Sequence, residues 1–160
     1  FERLAAYAVD TGADAILFTC SAFGPCIERV AKTHVGIPVL KPNEAMIEDV
    51  SQTEGLLGLI ATSAPTLKSM PPEFPEGMDI RLGFASGALE ALNAGDLQKH
   101  DQFIAYQARQ LAESGCASIA LAQFSMARAR AACQRSSGLP VFTTVDSAVR
   151  KIKAQFVRAV

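Results

Sequence analysis

The chain has 160 residues, 49% of them hydrophobic and 19% charged, which supplies a packed core and argues against disorder. Lys and Arg number 15 against 16 Asp and Glu; with a net charge of −1 and no basic run, a nucleic-acid partner has no electrostatic footing. Apolar runs such as AILF and LLGLIA fall far short of the roughly 18 residues of a membrane span and no signal-peptide pattern is present, so the expectation is a cytoplasmic protein without a membrane partner.

In chain order, residues 3–11 are Ala-rich and read as a helix that stops at Gly12. DAILFT (14–19) is a short continuous apolar run, the pattern of a parallel strand buried on both faces. Residues 22–33 read as a helix with Pro25 in its first turn, GIPVL (36–40) as a second strand and 43–52 as a helix. GLLGLIA (55–61) is a third strand running into TSAPTLKSM, a polar turn that opens a helix. After a Pro-rich loop come a strand over 79–85 and the longest helical pattern, 96–114.

The first unit then recurs. DTGADAILFTCSAF (10–23) lies over ESGCASIALAQFSM (113–126), setting Gly12 on Gly115, Ile16 on Ile119 and Cys20 on Gln123; GIPV (36–39) falls on GLPV (138–141). Strands alternating with helices, in two copies, predict an α/β fold of two pseudo-symmetric Rossmann-like lobes with parallel sheets.

Four cysteines, Cys20, Cys26, Cys116 and Cys133, show no C-x-x-C spacing, and the two histidines, His34 and His100, are distant from them and read as surface residues. This speaks against a structural zinc site and against thioredoxin-like redox chemistry, so no metal is expected. Cys26, Cys116 and Cys133 read as structural or inert. Cys20 stands at the carboxyl end of its strand and Gln123 at the equivalent end of the other. Ligands of parallel sheets bind there. A cysteine just before a helix is placed where the dipole and free N–H groups favour thiolate, and the N–H groups of Ser21, Ala22 and Phe23 would hold a carboxylate. Thr62, Thr66 and Ser125 add hydroxyls, Thr19 and Phe124 flank the two strand tips, and Cys20 itself is either a nucleophile or a buried filler residue. Such a set fits proton chemistry beside a carboxylate or thiol addition.

The motifs GADAILFTCSAFG, GLLGLIATSAPTLKSM and GCASIALAQFSMA followed by GLPVFTTVDSAV resemble the aspartate/glutamate racemase superfamily, which includes glutamate, aspartate and hydantoin racemases, maleate isomerase and arylmalonate decarboxylase. The resemblance covers essentially the whole chain. It implies two α/β lobes around a cleft, no cofactor, a small carboxylate as substrate and one cysteine on each face of it. Two departures stand out. Gln123 occupies the second cysteine's place, and Cys116, about 20 Å back along the strand, is no substitute. The family's first strand and loop have no counterpart, which implies an N-terminally incomplete first lobe and roughly 50 residues before Phe1, about a third of a typical domain.

The expected division is 1–52 with the closing helix 146–160, against 53–145. The expected function is a cofactor-independent isomerase acting at the carbon alpha to a carboxylate, with Cys20 catalytic and Gln123 an orienting group. The alternatives are a non-catalytic carboxylate binder of the same family and a decarboxylase of activated malonates. A homo-oligomer stays open.

Overall fold

The computed structural model describes residues 1–20 and 23–157, so the expectations placed on Ser21 and Ala22 lie outside the described residues. The order is α1 (Glu2–Asp10), β1 (Ile16–Leu17), α2 (Gly24–Thr33), β2 (Val39–Leu40), α3 (Glu44–Val50), β3 (Leu57–Ala61), α4 (Ala64–Ser69), β4 (Ile80–Phe84), α5 (Ala88–Asn93), α6 (Leu97–Glu113), β5 (Ser118–Leu121), α7 (Arg130–Ser137), β6 (Val141–Thr143) and α8 (Thr144–Val157). All described strand pairs are parallel, in a two-stranded sheet β1-β2 and a four-stranded sheet β4-β3-β5-β6. This is the α/β class that the alternation of strands and helices predicts.

The central strands of the larger sheet, β3 and β5, are buried on both faces, which is why they read as unbroken apolar runs rather than alternating ones. Ile60, Ile119 and Leu121 face Ile104, Ala108 and Leu111 of α6. Leu57, Leu59, Ala61 and Ala120 face Met46, Ile47 and Val50 of α3. Gly58 lets α6 come close, for a Cβ there would stand 2.8 Å from Ile119 Cδ1 and 2.9 Å from Leu111 Cδ1. α8 returns along α3, where Arg150 pairs with Asp49 and Lys151 with Glu48.

The sequence repeat is a repeat of geometry. Gly12 and Gly115 both take positive φ, 92° and 93°, and each N–H reaches back three residues, to Val9 and Ala112. Ile16 N–H bonds the Pro38 carbonyl as Ile119 N–H bonds that of Pro140. Ile16 pairs with Val39 as Ile119 pairs with Val141.

Three local readings change. The strands expected over 14–19 and 36–40 shrink to two residues each, because among the described residues β1 and β2 have only each other as ladder partners. α5 escaped the sequence reading, and a 3-10 turn (Phe124–Ala129) intervenes before α7. His100 is not a surface residue but fully buried, because α6 packs against that turn.

Candidate active site

The carboxyl ends of strands from both sheets converge on a cavity of about 320 Å³ lined by Thr19, Cys20, Pro42, Asn43, Thr66, Ala122, Gln123, Phe124 and Ser125. Thr19 and Cys20 follow β1, Pro42 and Asn43 follow β2, Thr66 lies in α4 beyond β3, and 122–125 follow β5. This is where the strand dipoles, helix starts and loops of a parallel sheet leave room for a ligand. Six of the ten residues expected from sequence meet here: Thr19, Cys20, Thr66, Gln123, Phe124 and Ser125. Among the described residues the lining is hydroxyls, two amides, one thiol and apolar groups, with no ionic side chain.

Two expected residues stand outside the lining. Phe23 stands at the start of α2, and its ring packs at a tilt of 43° against Phe1 with centroids 4.8 Å apart. Thr62 is buried behind the wall, because both its backbone N–H and its hydroxyl donate to Gln123 Oε1, at 2.7 and 2.9 Å. A backbone N–H can only donate, so the Gln123 oxygen must face Thr62 and its Nε2 is left for the cavity. Ser63 caps α4 and its hydroxyl lies 3.0 Å from that of Thr66, fixing the Thr66 side chain at the rim.

Behind the 3-10 turn, Arg128 grips Asp101 of α6 with two hydrogen bonds, 2.9 and 3.1 Å, while His100 Nδ1 lies 2.8 Å from the same carboxylate. Partial burial pushes the Asp101 carboxyl up, but the Arg128 and His100 contacts outweigh it and hold the group below its usual range. The turn that carries Phe124 and Ser125 is thereby tied to the longest helix.

The four thiols are free and unlike one another. Cys20 is exposed and Cys26 half-buried, whereas Cys116 and Cys133 are in the core. Burial pushes the Cys116 thiol up, and burial followed by the Asp101 charge pushes Cys133 up to about 12. No group of three or more His, Cys, Asp or Glu among the described residues is placed to hold a metal ion, and no described helix is long and apolar enough to cross a membrane.

Asn43, Pro42 and Ala122 were not anticipated as lining residues. A signal existed, since 41–43 lie just past a predicted parallel strand, where ligands bind.

Fold and cavity together define an α/β protein with a single exposed thiol at the carboxyl ends of its parallel strands. The chain belongs to the Asp/Glu/Hydantoin racemase family, whose profile matches residues 1–152. Three solved structures share its fold. A glutamate racemase isoform from Bacillus anthracis superposes with a TM-score of 0.70 at 11% identity, over 99% of this chain and 63% of that one. The glutamate racemase of Francisella tularensis in complex with D-glutamate gives 0.71 at 12%, over 99% and 62%. The allantoin racemase of Pseudomonas fluorescens gives 0.66 at 17%, over 99% and 72%. The chain thus spans under two thirds of the length of the two glutamate racemases. No curated protein sequence matches it.

Proposed function

We propose that this protein is a cofactor-independent racemase- or isomerase-type enzyme that acts on a small acid at the carbon alpha to its carboxylate, through Cys20. The observation that carries the reading is the exposed Cys20 thiol in the same cavity as Gln123, Thr66 and Ser125. Family membership supports the reaction class.

In this reading the Cys20 thiolate takes the alpha proton on one face, and the electron pair moves into the carboxylate as an enolate. Gln123 Nε2 and the Thr66 and Ser125 hydroxyls donate to the oxygens where that charge collects. Return of the proton from the same thiol regenerates the substrate. An inverted product forms when water, rather than the neutral Gln123 amide, gives a proton to the other face of the enolate, and the hydroxide left behind takes the proton held by Cys20. Attack of the thiolate on a double bond, rotation and expulsion of the thiolate is the other balanced use of one sulfur. The chain divides in this reading into 1–52 with the helix 146–160, and 53–145, with α3 and α8 as the seam.

The test is proton NMR in D2O with amino acids, hydantoins, arylmalonates and maleate, with Cys20→Ala as control. Deuterium incorporation or isomerisation that disappears in Cys20→Ala is the expected result. Turnover unchanged in that variant overturns the mechanism, and release of carbon dioxide from an arylmalonate would assign a decarboxylase instead.

A second reading has its own support: Gln123 Oε1 is engaged by Thr62, so the residue in the second thiol's place serves as a strand tie. That suits a carboxylate binder without turnover, and it predicts ligand-dependent shift changes with no chemistry.

A further inference from the structure

We infer that Asn43 is a specificity-determining residue of this cavity: its carbonyl oxygen, aimed by Glu73, accepts an N–H from a ligand whose carboxylate takes the N–H of Gln123. The inference rests on the cavity being the substrate site and names the class of acid it takes.

Asn43 is 3% exposed and lies on the turn between β2 and α3. Its Nδ2 faces both carboxylate oxygens of Glu73, at 3.4 and 3.3 Å. An ionised carboxylate has no proton to give, so turning the Asn43 amide over would set three acceptor oxygens against one another. The orientation of this amide is therefore decided by chemistry, which is not so for most buried amides. Gln123 is decided the other way, since the Thr62 N–H demands its oxygen.

Two amides of opposite and fixed polarity thus line one cavity. Asn43 offers an acceptor from the side of the smaller sheet, and Gln123 offers donors from the side of the larger. The complement is a small carboxylate with an N–H on the neighbouring carbon: an amino, acylamino or ureido acid. A malonate or maleate brings acceptors alone and would face the Asn43 oxygen with nothing to donate. A site built to bond an N–H discriminates strongly against an analogue lacking it, because its own buried group is left unpaired. Glu73 stands outside this cavity, in the lining of the adjoining one with Lys41 and Glu28. It is a positioning residue that acts through Asn43.

The experiment measures binding by NMR titration for two pairs that differ only in N–H against O: N-acetylalanine with O-acetyllactate, and N-carbamoylalanine with O-carbamoyllactate. The intact protein, Asn43→Leu, Glu73→Gln and Cys20→Ala are compared. The N–H member is expected to bind at least about tenfold more tightly to the intact protein and to Cys20→Ala. In Glu73→Gln the partner amide can give or accept, Asn43 is free to turn, and the ratio is expected to fall to within about threefold. A merely structural loss would weaken both members of a pair alike. An unchanged ratio in both Glu73→Gln and Asn43→Leu overturns the inference, as does binding of both members without preference. Preference without Cys20-dependent turnover overturns the enzymatic reading and leaves this one standing. Failure of all four probes to bind overturns the inference and leaves the enzymatic reading to its own D2O test.

Discussion

Gln123 Oε1 accepts from both the backbone N–H and the hydroxyl of Thr62, so one side chain fastens the carboxyl end of β5 to that of β3. The backbone ladder between these strands runs out one residue earlier, where Ala122 N–H reaches the Ile60 carbonyl at 2.9 Å. Gln123 carries the pairing past that point. Its oxygen is engaged, which leaves its N–H groups as the atoms free to bond a ligand.

Replacing Gln123 separates its two tasks. Gln123→Ala leaves a buried Thr62 N–H without an acceptor and is expected to destabilise the fold by about 1–3 kcal/mol. Gln123→Glu keeps an oxygen for Thr62 but gives the cavity a carboxylate, so stability should stay near the parent while carboxylate binding weakens at least about tenfold. Urea melts and NMR titrations side by side check both. Equal stability of Gln123→Ala and the parent would remove the strand-tie role.

The thiols should label in an order set by burial. Iodoacetamide at neutral pH is expected to modify Cys20 first and Cys26 more slowly, with Cys116 and Cys133 modified only after unfolding. Peptide mass mapping reads the order directly. Early modification of Cys133 would mean that the packing of α7 on α6 is wrong.

Alkaline stability should report Cys133. Its thiol, pushed up to about 12 by burial and then by Asp101, ionises in the unfolded chain near the ordinary value of 9.0. Between those values the unfolded state binds fewer protons than the folded state, so stability is full below about pH 9 and falls as pH rises toward 12. Cys133→Ala is expected to cost about 1 kcal/mol at neutral pH through lost packing, and to flatten the alkaline decline. Urea midpoints from pH 7 to about 10.5 measure it. An identical slope in the variant refutes the assignment.

The elements were legible because their signals are local. β3 and β5 announce themselves as apolar runs, and Gly12 and Gly115 stop their helices in the left-handed backbone conformation that glycine adopts most readily. The repeat placed Cys20 and Gln123 at matching strand tips, and the cavity holds both. β1 and β2 were overread, since ladder length depends on partners that a linear pattern does not display. His100 was misplaced for a related reason: its neighbours in sequence are polar, whereas its burial comes from the turn packed against α6.

The amino-acid order by itself determined the strand and helix pattern, the doubled unit, the strand-end position of the exposed thiol and the family, because propensity and period act over a few residues. Tertiary structure alone decided what the site's amides can do. Thr62 and Gln123 are 61 residues apart and Asn43 and Glu73 are 30 apart, yet each pair fixes which atom of an amide is engaged and which is left free. Hydrogen-bond polarity belongs to the pair and not to either residue, so it exists only once the chain has closed on itself.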